Sequence, residues 1–443
     1  MSTLAWKKRA IAAAIGAMTV TAAGSAGAAG FSIGVQNASG LGLANSGQAA
    51  AAEDASTIWY NPAGLTNLPG RQVVGALNVL NTSVKFQNDG TSTTPTGAVS
   101  TAGNGGDAGG WAAVPAAYLS WQLNPQLWLG LGIGAPFGLK TEYDDGWVGQ
   151  FHAIKSEVKT ININPTLAWK INNAVSLGFG INAMYIDADL TSRTFTALGS
   201  PLGEISADSW GWGWNIGVMF TVTPTTRIGL SYRSEIEQDL EGNVTFSGVP
   251  AALAALFPNS GVTAEVKLPA MASIALSQQI DKWQILADFT YTWWDSIQDL
   301  TIFRTSGASC PAAGATAVCL SSTPLNFDNS WRIGVGANYQ LNNEWKLRFG
   351  TAYDKTPVQD AFRTPRLPDA DRIWLAVGAQ WAFSKQGALD FGYAHEFVDD
   401  ASSNLPSVDP APVAGFPNGP KGALRGTYKA NVNIFGVQVK YSF

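Results

Sequence analysis

The chain has 443 residues, a formal charge of −5, 13% charged and 11% aromatic residues, 48 glycines and 17 tryptophans. Soluble domains carry about 25% charged residues, so this composition points to lipid contact. The mean hydropathy of +0.04 nevertheless excludes a helical membrane bundle and suits a barrel, where every second strand residue faces lipid. With no basic excess, there is no footprint for a nucleic-acid partner.

Residues 1–28 read as an export signal. Lys7, Lys8 and Arg9 form the basic start, a small and apolar run follows, and Ala26-Gly27-Ala28 is the cleavage site. The mature chain is then expected to begin at Ala29-Gly30-Phe31. Beyond this segment no run of about 18 apolar residues occurs, so no transmembrane helix is predicted. Export without such a helix leaves the periplasm, the exterior or the outer membrane of a Gram-negative cell.

Residues 29–70 precede the first convincing strand. They are rich in small side chains, and Pro62 interrupts regular structure. A segment of about forty residues is marginal as an independent domain, and Trp59, Tyr60 and Leu65 are costly to leave in water. Ahead of a barrel, its expected place is inside, as a plug or hatch.

From residue 71 to 443 the pattern is that of strands. The third is unusual. Leu129, Leu131, Ile133 and Ala135 alternate with Gly130, Gly132, Gly134 and Pro136. An inner face without side chains leaves room for something pressed against it. Pro136 cannot donate to a ladder and Gly138 bends easily, so pairing is expected to break here. Further on, Trp331, Ile333, Val335, Ala337 and Tyr339 alternate with Arg332, Gly334, Gly336 and Asn338, and Ile373, Leu375, Val377, Ala379 and Trp381 repeat the pattern. Aliphatics in the middle and aromatics at the ends describe a lipid-facing band with two girdles.

Short turns fall at Asn124-Pro125, Asn172-Asn173, Thr223-Pro224-Thr225, Asp281-Lys282, Asn342-Asn343 and Lys385-Gln386. Long polar or Gly/Pro-rich stretches near 88–110, 139–150, 193–208, 241–261, 304–325, 355–370 and 398–428 lie between them. Short and long connections in alternation predict an all-β, transmembrane antiparallel barrel of about 14 strands with periplasmic turns and long extracellular loops.

The loops carry apolar residues. Phe195 and Leu198 dot one, and Leu253, Leu256 and Phe257 lie in a run bounded by Pro250 and Pro258. Exposed apolar patches mark binding surfaces. Cys310 and Cys319 are the two cysteines, and in an oxidising compartment they are expected to close one loop disulfide. His152 and His395 read as solvated or paired surface residues, and no catalytic group, metal cluster or cofactor motif is found. The chain closes on Phe435, Val437, Val439, Tyr441 and Phe443 facing one way, and Phe443 reads as a signal for the barrel-assembly machinery.

Several of these segments resemble the FadL-type family of outer-membrane long-chain fatty acid transporters. They are Ala29-Gly30-Phe31, Ser39-Gly40-Leu41-Gly42, Asn61-Pro62-Ala63, Gly213-Trp214-Asn215, Ser231-Tyr232-Arg233-Ser234, Tyr353-Asp354-Lys355-Thr356-Pro357-Val358 and Arg366-Leu367-Pro368-Asp369. The resemblance implies a 14-stranded barrel closed by a small hatch. It implies capture of a hydrophobic ligand at the outer loops, transfer to a deeper pocket by Phe31, and lateral exit at the kinked third strand (Gly132, Gly134, Pro136, Gly138). The Asn61-Pro62-Ala63 motif is expected to rest near Gly134 to Gly138. The implied partners are a hydrophobic small molecule and outer-membrane lipid with lipopolysaccharide, and the barrel is expected to act as a monomer.

The ligand stays open at this point. A fatty acid carboxylate wants a lumen cation, and Arg233, Arg332 and Arg348 are candidates, but carboxylates such as Asp187, Asp189 and Asp328 compete for them. A neutral or aromatic hydrocarbon is the alternative. A general diffusion porin leaves residues 29–70 unexplained, a barrel phospholipase needs a histidine beside a serine, and a siderophore-type receptor needs a far larger plug.

Overall fold

A computed structural model of the chain describes residues 29–306, 318–408 and 419–443. The export signal of residues 1–28 and the pairing expected between Cys310 and Cys319 lie outside the described residues.

Twenty strand segments form one antiparallel sheet that closes on itself. In chain order they are β1 (Arg71–Asn88), β2 (Gly110–Asn124), β3 (Leu127–Gly134), β4 (Gly138–Glu142), β5 (Lys155–Lys170), β6 (Val175–Arg193), β7 (Leu202–Thr223), β8 (Thr226–Arg233), β9 (Ile236–Ser247) and β10 (Ser260–Leu268). There follow β11 (Met271–Ile280), β12 (Trp283–Thr292), β13 (Asp299–Arg304), β14 (Val318–Pro324), β15 (Ser330–Gln340), β16 (Trp345–Asp354), β17 (Arg372–Trp381), β18 (Gly387–Val398), β19 (Ala401–Leu405) and β20 (Leu424–Ser442). Six crossings are each broken into two collinear segments, so the wall has fourteen strands. The first and last pair from Gln72↔Ser442 to Asn88↔Gly426, which leaves no edge at the seam.

The alternation read from the sequence is the alternation of burial. On β17, Ile373, Leu375 and Val377 are each about half exposed to what surrounds the barrel, while Trp374 and Ala376 are buried inside. The short turns sit where expected. The long loops are shorter than expected, because paired backbone continues through two of them. β6 and β7 stay paired to Arg193↔Leu202, and β9 and β10 to Val244↔Ser260. Past the lipid band both faces change chemistry, so the hydrophobic pattern fades although the ladder runs on.

Asn67 and Pro69 apart, every residue of 29–70 is buried or half-buried inside this wall. The segment forms three single-turn helices, α1 (Ala38–Leu41), α2 (Gln48–Ala51) and α3 (Thr57–Tyr60), and a 3-10 turn over Pro62–Asn67. Helices this short do not stand alone in water, so packing and caps hold them. Asn37 Oδ1 accepts from Gly40 N at 2.9 Å, and Asn61 Oδ1 from Ala63 N at 3.0 Å. Ile33, Val35 and Leu41 share a core with Ala112, Val114, Trp374 and Ile434 of the wall.

Backbone meets backbone where the wall has glycine. A Cβ at Gly350 would stand 2.0 Å from the carbonyl carbon of Leu43, and one at Gly178 would stand 2.3 Å from Ala63 N. Ion pairs fasten the same segment. Glu53 lies 2.9 Å from Arg348 and 3.3 Å from Lys346, and Arg348 reaches Asp390 at 2.7 Å. Burial alone would raise the Glu53 carboxyl, but Arg348 and then Lys346 outweigh it and hold the group well below the usual carboxylate range.

Candidate functional site

The wall is interrupted at the third crossing. β2 and β3 pair from Asn124↔Leu127 to Ala117↔Ile133 and no further. β5 pairs with β3 up to Gly134↔Asn162 and resumes with β4 at Gly138↔Lys159. Ala135, Pro136 and Phe137 lie in the break. On the facing side, Gly110 to Ala116 pair with β1 alone. Contact returns where Glu142 N donates to Ala108 O at 3.0 Å. Pro115 sits in the unpaired run, where its missing N–H costs nothing. Pro115 thus lies on one side of the gap and Pro136 on the other, and the first of these was not singled out from sequence.

Residues 29–36 cover the gap from inside. Ile33 N donates to Pro136 O at 2.7 Å, Gly138 N donates to Phe31 O at 2.9 Å, and Ser32 bridges Phe137. Gln36 Nε2 donates to Ala135 O at 3.0 Å, and Tyr118 Oη donates to Gln36 O at 2.9 Å. The Ala135 and Pro136 carbonyls freed by the kink are thus satisfied by Gln36 and Ile33, and that of Phe137 by Thr160 Oγ1, as buried polar groups require. Gly30 makes the bend into this strip with φ +68°, and a Cβ there would strike the Trp294 ring. Ala29 N and Gly30 N donate to Asp354 and Asp369 at 3.1 and 2.8 Å.

Above the strip lies an apolar cavity, lined by Phe31, Leu139, Val158, Ile186, Leu240 and Phe327 among others, with Ser156, Asp299, Thr364 and Arg366 as its polar members. It exists because the strands invert their chemistry. On β6, Phe179 and Ile181 face outward, with Gly180 and Asn182 inward; beyond Tyr185, Asp187 and Asp189 face outward, with Ile186, Ala188 and Leu190 inward. β9 does the same, with Glu237, Asp239 and Glu241 outside and Ile236 and Leu240 inside. An outer face of carboxylates marks where the lipid band ends, and the apolar inner face makes a dry chamber above it.

Below the strip is a second cavity, lined by Trp59, Tyr60, Arg233, Asp288, Trp294 and Arg332 among others. Phe31 lines the upper cavity and Trp294 the lower, and their rings touch edge to face, with centroids 5.1 Å apart. Phe137 and Phe327 complete the aromatic cluster around Trp294.

The other residues singled out from sequence fall as follows. Gly132 and Gly134 end β3 with Ile58 and Gln36 against them, Pro136 lies in the break, and Gly138 closes it. Asn61-Pro62-Ala63 is not near Gly134 to Gly138. It rests on Gly178 and Gly217 of β6 and β7, with Asn61 Nδ2 donating to Val218 O at 3.0 Å. Residues 31–36 already occupy the break, and the two glycines provide the recess that the proline turn needs. Phe195, Leu198, Leu253, Leu256 and Phe257 line neither cavity. They stand at the ends of the β6–β7 and β9–β10 ribbons, where Phe195 packs on Phe151 and Phe257 on Phe246, and Leu198 and Leu256 are 61% and 70% exposed. His152 is buried, not solvated, with a ring nitrogen 2.8 Å from Gly422 O; His395 pairs with Asn433 Oδ1 at 2.9 Å. Arg332 pairs with Asp288 at 3.1 Å, and Arg348 is held between Glu53 and Asp390. Asp187, Asp189 and Asp328 do not reach these arginines.

A model of the outer membrane protein transport protein family (OMPP1/FadL/TodX) matches residues 19–443. The long-chain fatty acid transport protein of Escherichia coli K12 is 28% identical over 407 residues, covering 83% of this chain and 87% of its own. The 47 kDa outer membrane protein of Pasteurella multocida is 28% identical and covers 95% and 96%. Among solved structures, a Pseudomonas aeruginosa FadL homologue superposes with a TM-score of 0.82 at 24% identity, covering 94% of this chain and all of that one. The Ralstonia pickettii toluene transporter TbuX does so at 0.63 and 20% identity, covering 91% and 98%.

Proposed function

The chain belongs to the outer membrane protein transport family (OMPP1/FadL/TodX), and from that premise we propose that it carries long-chain fatty acids inward across the outer membrane of a Gram-negative cell. Leu198, Leu256 and their loop neighbours make the first apolar contact. The tail then settles in the upper cavity, against Phe31. Displacement of residues 31–33 joins the two cavities and uncovers the break beside Pro136, through which the ligand leaves sideways into lipid.

The observation that carries this reading is the strip of residues 31–36 lying over a gap in the ladder, directly beneath a greasy chamber. Energetics favour the sideways route. Each buried CH₂ contributes roughly 0.8 kcal/mol, so a tail of about fifteen is held by on the order of 10 kcal/mol before ordering costs. Release into water would forfeit that term, whereas transfer into lipid would keep it. A neutral hydrocarbon is the second reading, favoured by an upper cavity lined almost wholly with carbon.

The route involves no covalent step and no cofactor. The remaining partners in this reading are outer-membrane lipid with lipopolysaccharide, and assembly machinery reading Phe443; the barrel acts as a monomer, a reading that the pairing of β1 with β20 supports. Growth of a strain carrying this transporter alone tests the proposal: uptake of long-chain fatty acids supports it, and uptake of neutral alkanes without fatty acids transfers the function to the second reading.

A further inference from the structure

We infer that Arg233 and Asn215 form a head-group site for the carboxylate of a long-chain acid in the lower cavity; this rests on the transport reading above and names its substrate class. Arg233 is 5% exposed and lines the cavity. Its guanidinium lies over the Trp59 ring, 3.8 Å from the centroid, and donates to Trp59 O at 3.0 Å and to Asn182 Oδ1. No carboxylate stands within ion-pair distance of it among the described residues. The other charges on the cavity are taken: Asp288 by Arg332, and Asp354 by Ala29 N.

Around Arg233 the inner wall is a neutral amide patch. Asn162, Asn164, Asn182 and Asn215 hydrogen-bond to one another across β5, β6 and β7. Asn215 is the cross-strand partner of Arg233, and its Nδ2 is buried with no acceptor. A buried cation without a counter-ion and an orphaned donor beside it are both costly. One carboxylate satisfies both, as a charge-assisted acceptor. Met271, Pro62 and Trp294 on the same cavity offer the tail its contacts. The patch also leads outward, since Asn162 and Asn164 pair with Gly134 and Gly132 at the broken strand.

The test compares uptake of oleic acid with uptake of its methyl ester in cells carrying the wild type, Asn215→Asp, Arg233→Met or Arg233→Lys. Asn215→Asp keeps the shape and the acceptor oxygen but supplies the counter-ion that Arg233 lacks. Uptake of the acid is expected to fall at least tenfold in Asn215→Asp and Arg233→Met, with the ester within twofold and Arg233→Lys largely restored. A purely structural role for Arg233 would depress acid and ester together, and unchanged acid uptake in Asn215→Asp would equally overturn the inference. If the wild type moves neither compound, the transport reading fails instead.

Discussion

Phe31 meets Trp294 edge to face, with ring centroids 5.1 Å apart and planes at 66°, and this contact is the partition between the upper and lower cavities. The two rings come from opposite ends of the chain's logic. Trp294 leaves the wall between β12 and β13 to fill the lumen, and Phe31 is the third residue of the described chain. A gate placed on the N-terminal strip needs no hinge in the barrel, because the strip is attached by individual hydrogen bonds, at Ala135, Pro136, Gly138, Tyr118, Asp354 and Asp369, and not by a continuous ladder.

Phe31→Ala removes the ring from both the partition and the upper cavity. Losing that contact weakens retention of a tail by about 1–2 kcal/mol, roughly tenfold. The expected result is weaker equilibrium binding of a fluorescent fatty acid to purified protein, with the barrel fold retained. Unaltered affinity would place the ligand elsewhere.

Gly350→Val drives a side chain into the Leu43 backbone. Overpacking usually costs about 1–3 kcal/mol, and here it falls on the contact between hatch and wall. The barrel is expected to assemble, while single-channel recordings show ion leakage that the wild type lacks. Deletion of residues 29–66 should leak more strongly still. Equal, low conductance in all three would mean that the segment does not seal the bore.

Glu53 fastens α2 and its surroundings to Arg348 and Lys346. Its folded pKa is depressed, so the stability it contributes is present above the unfolded carboxylate value of about 4.3 and is lost as pH falls through the lower folded value. The seal is therefore expected to hold from neutral pH to about pH 4. Glu53→Gln leaves two buried cations less compensated, which costs up to about 3–5 kcal/mol when a buried pair is broken. Conductance measured from pH 7 to pH 3 checks both statements; wild-type opening near pH 6 would contradict the first.

Much of this architecture was legible in the sequence, because a membrane wall imposes a strict alternation. Val437, Val439 and Tyr441 had to face lipid, and the Asn/Pro turns marked the short side of the barrel. The break at Pro136 was legible for the same reason, since proline cannot join a ladder. What stayed hidden depended on contacts between distant segments. Asn61 looked like a neighbour of the third strand, but its recess is made by Gly178 and Gly217, which no local pattern ties to it. The upper cavity was missed because Ile186 and Leu240 keep the same period as the strand below them while the chemistry of each face is exchanged.

For cargo to pass in the proposed route, the N-terminal strip must leave the third-strand break. Ser32 and Phe137 are bridge partners across that contact, and opposed strand residues lie within the Cα separation a disulfide allows. In a background of Cys310→Ser and Cys319→Ser, the pair Ser32→Cys and Phe137→Cys can lock the strip reversibly. Fatty acid uptake is expected to stop in the oxidised protein and to return on reduction; equal uptake in the two states would contradict the account.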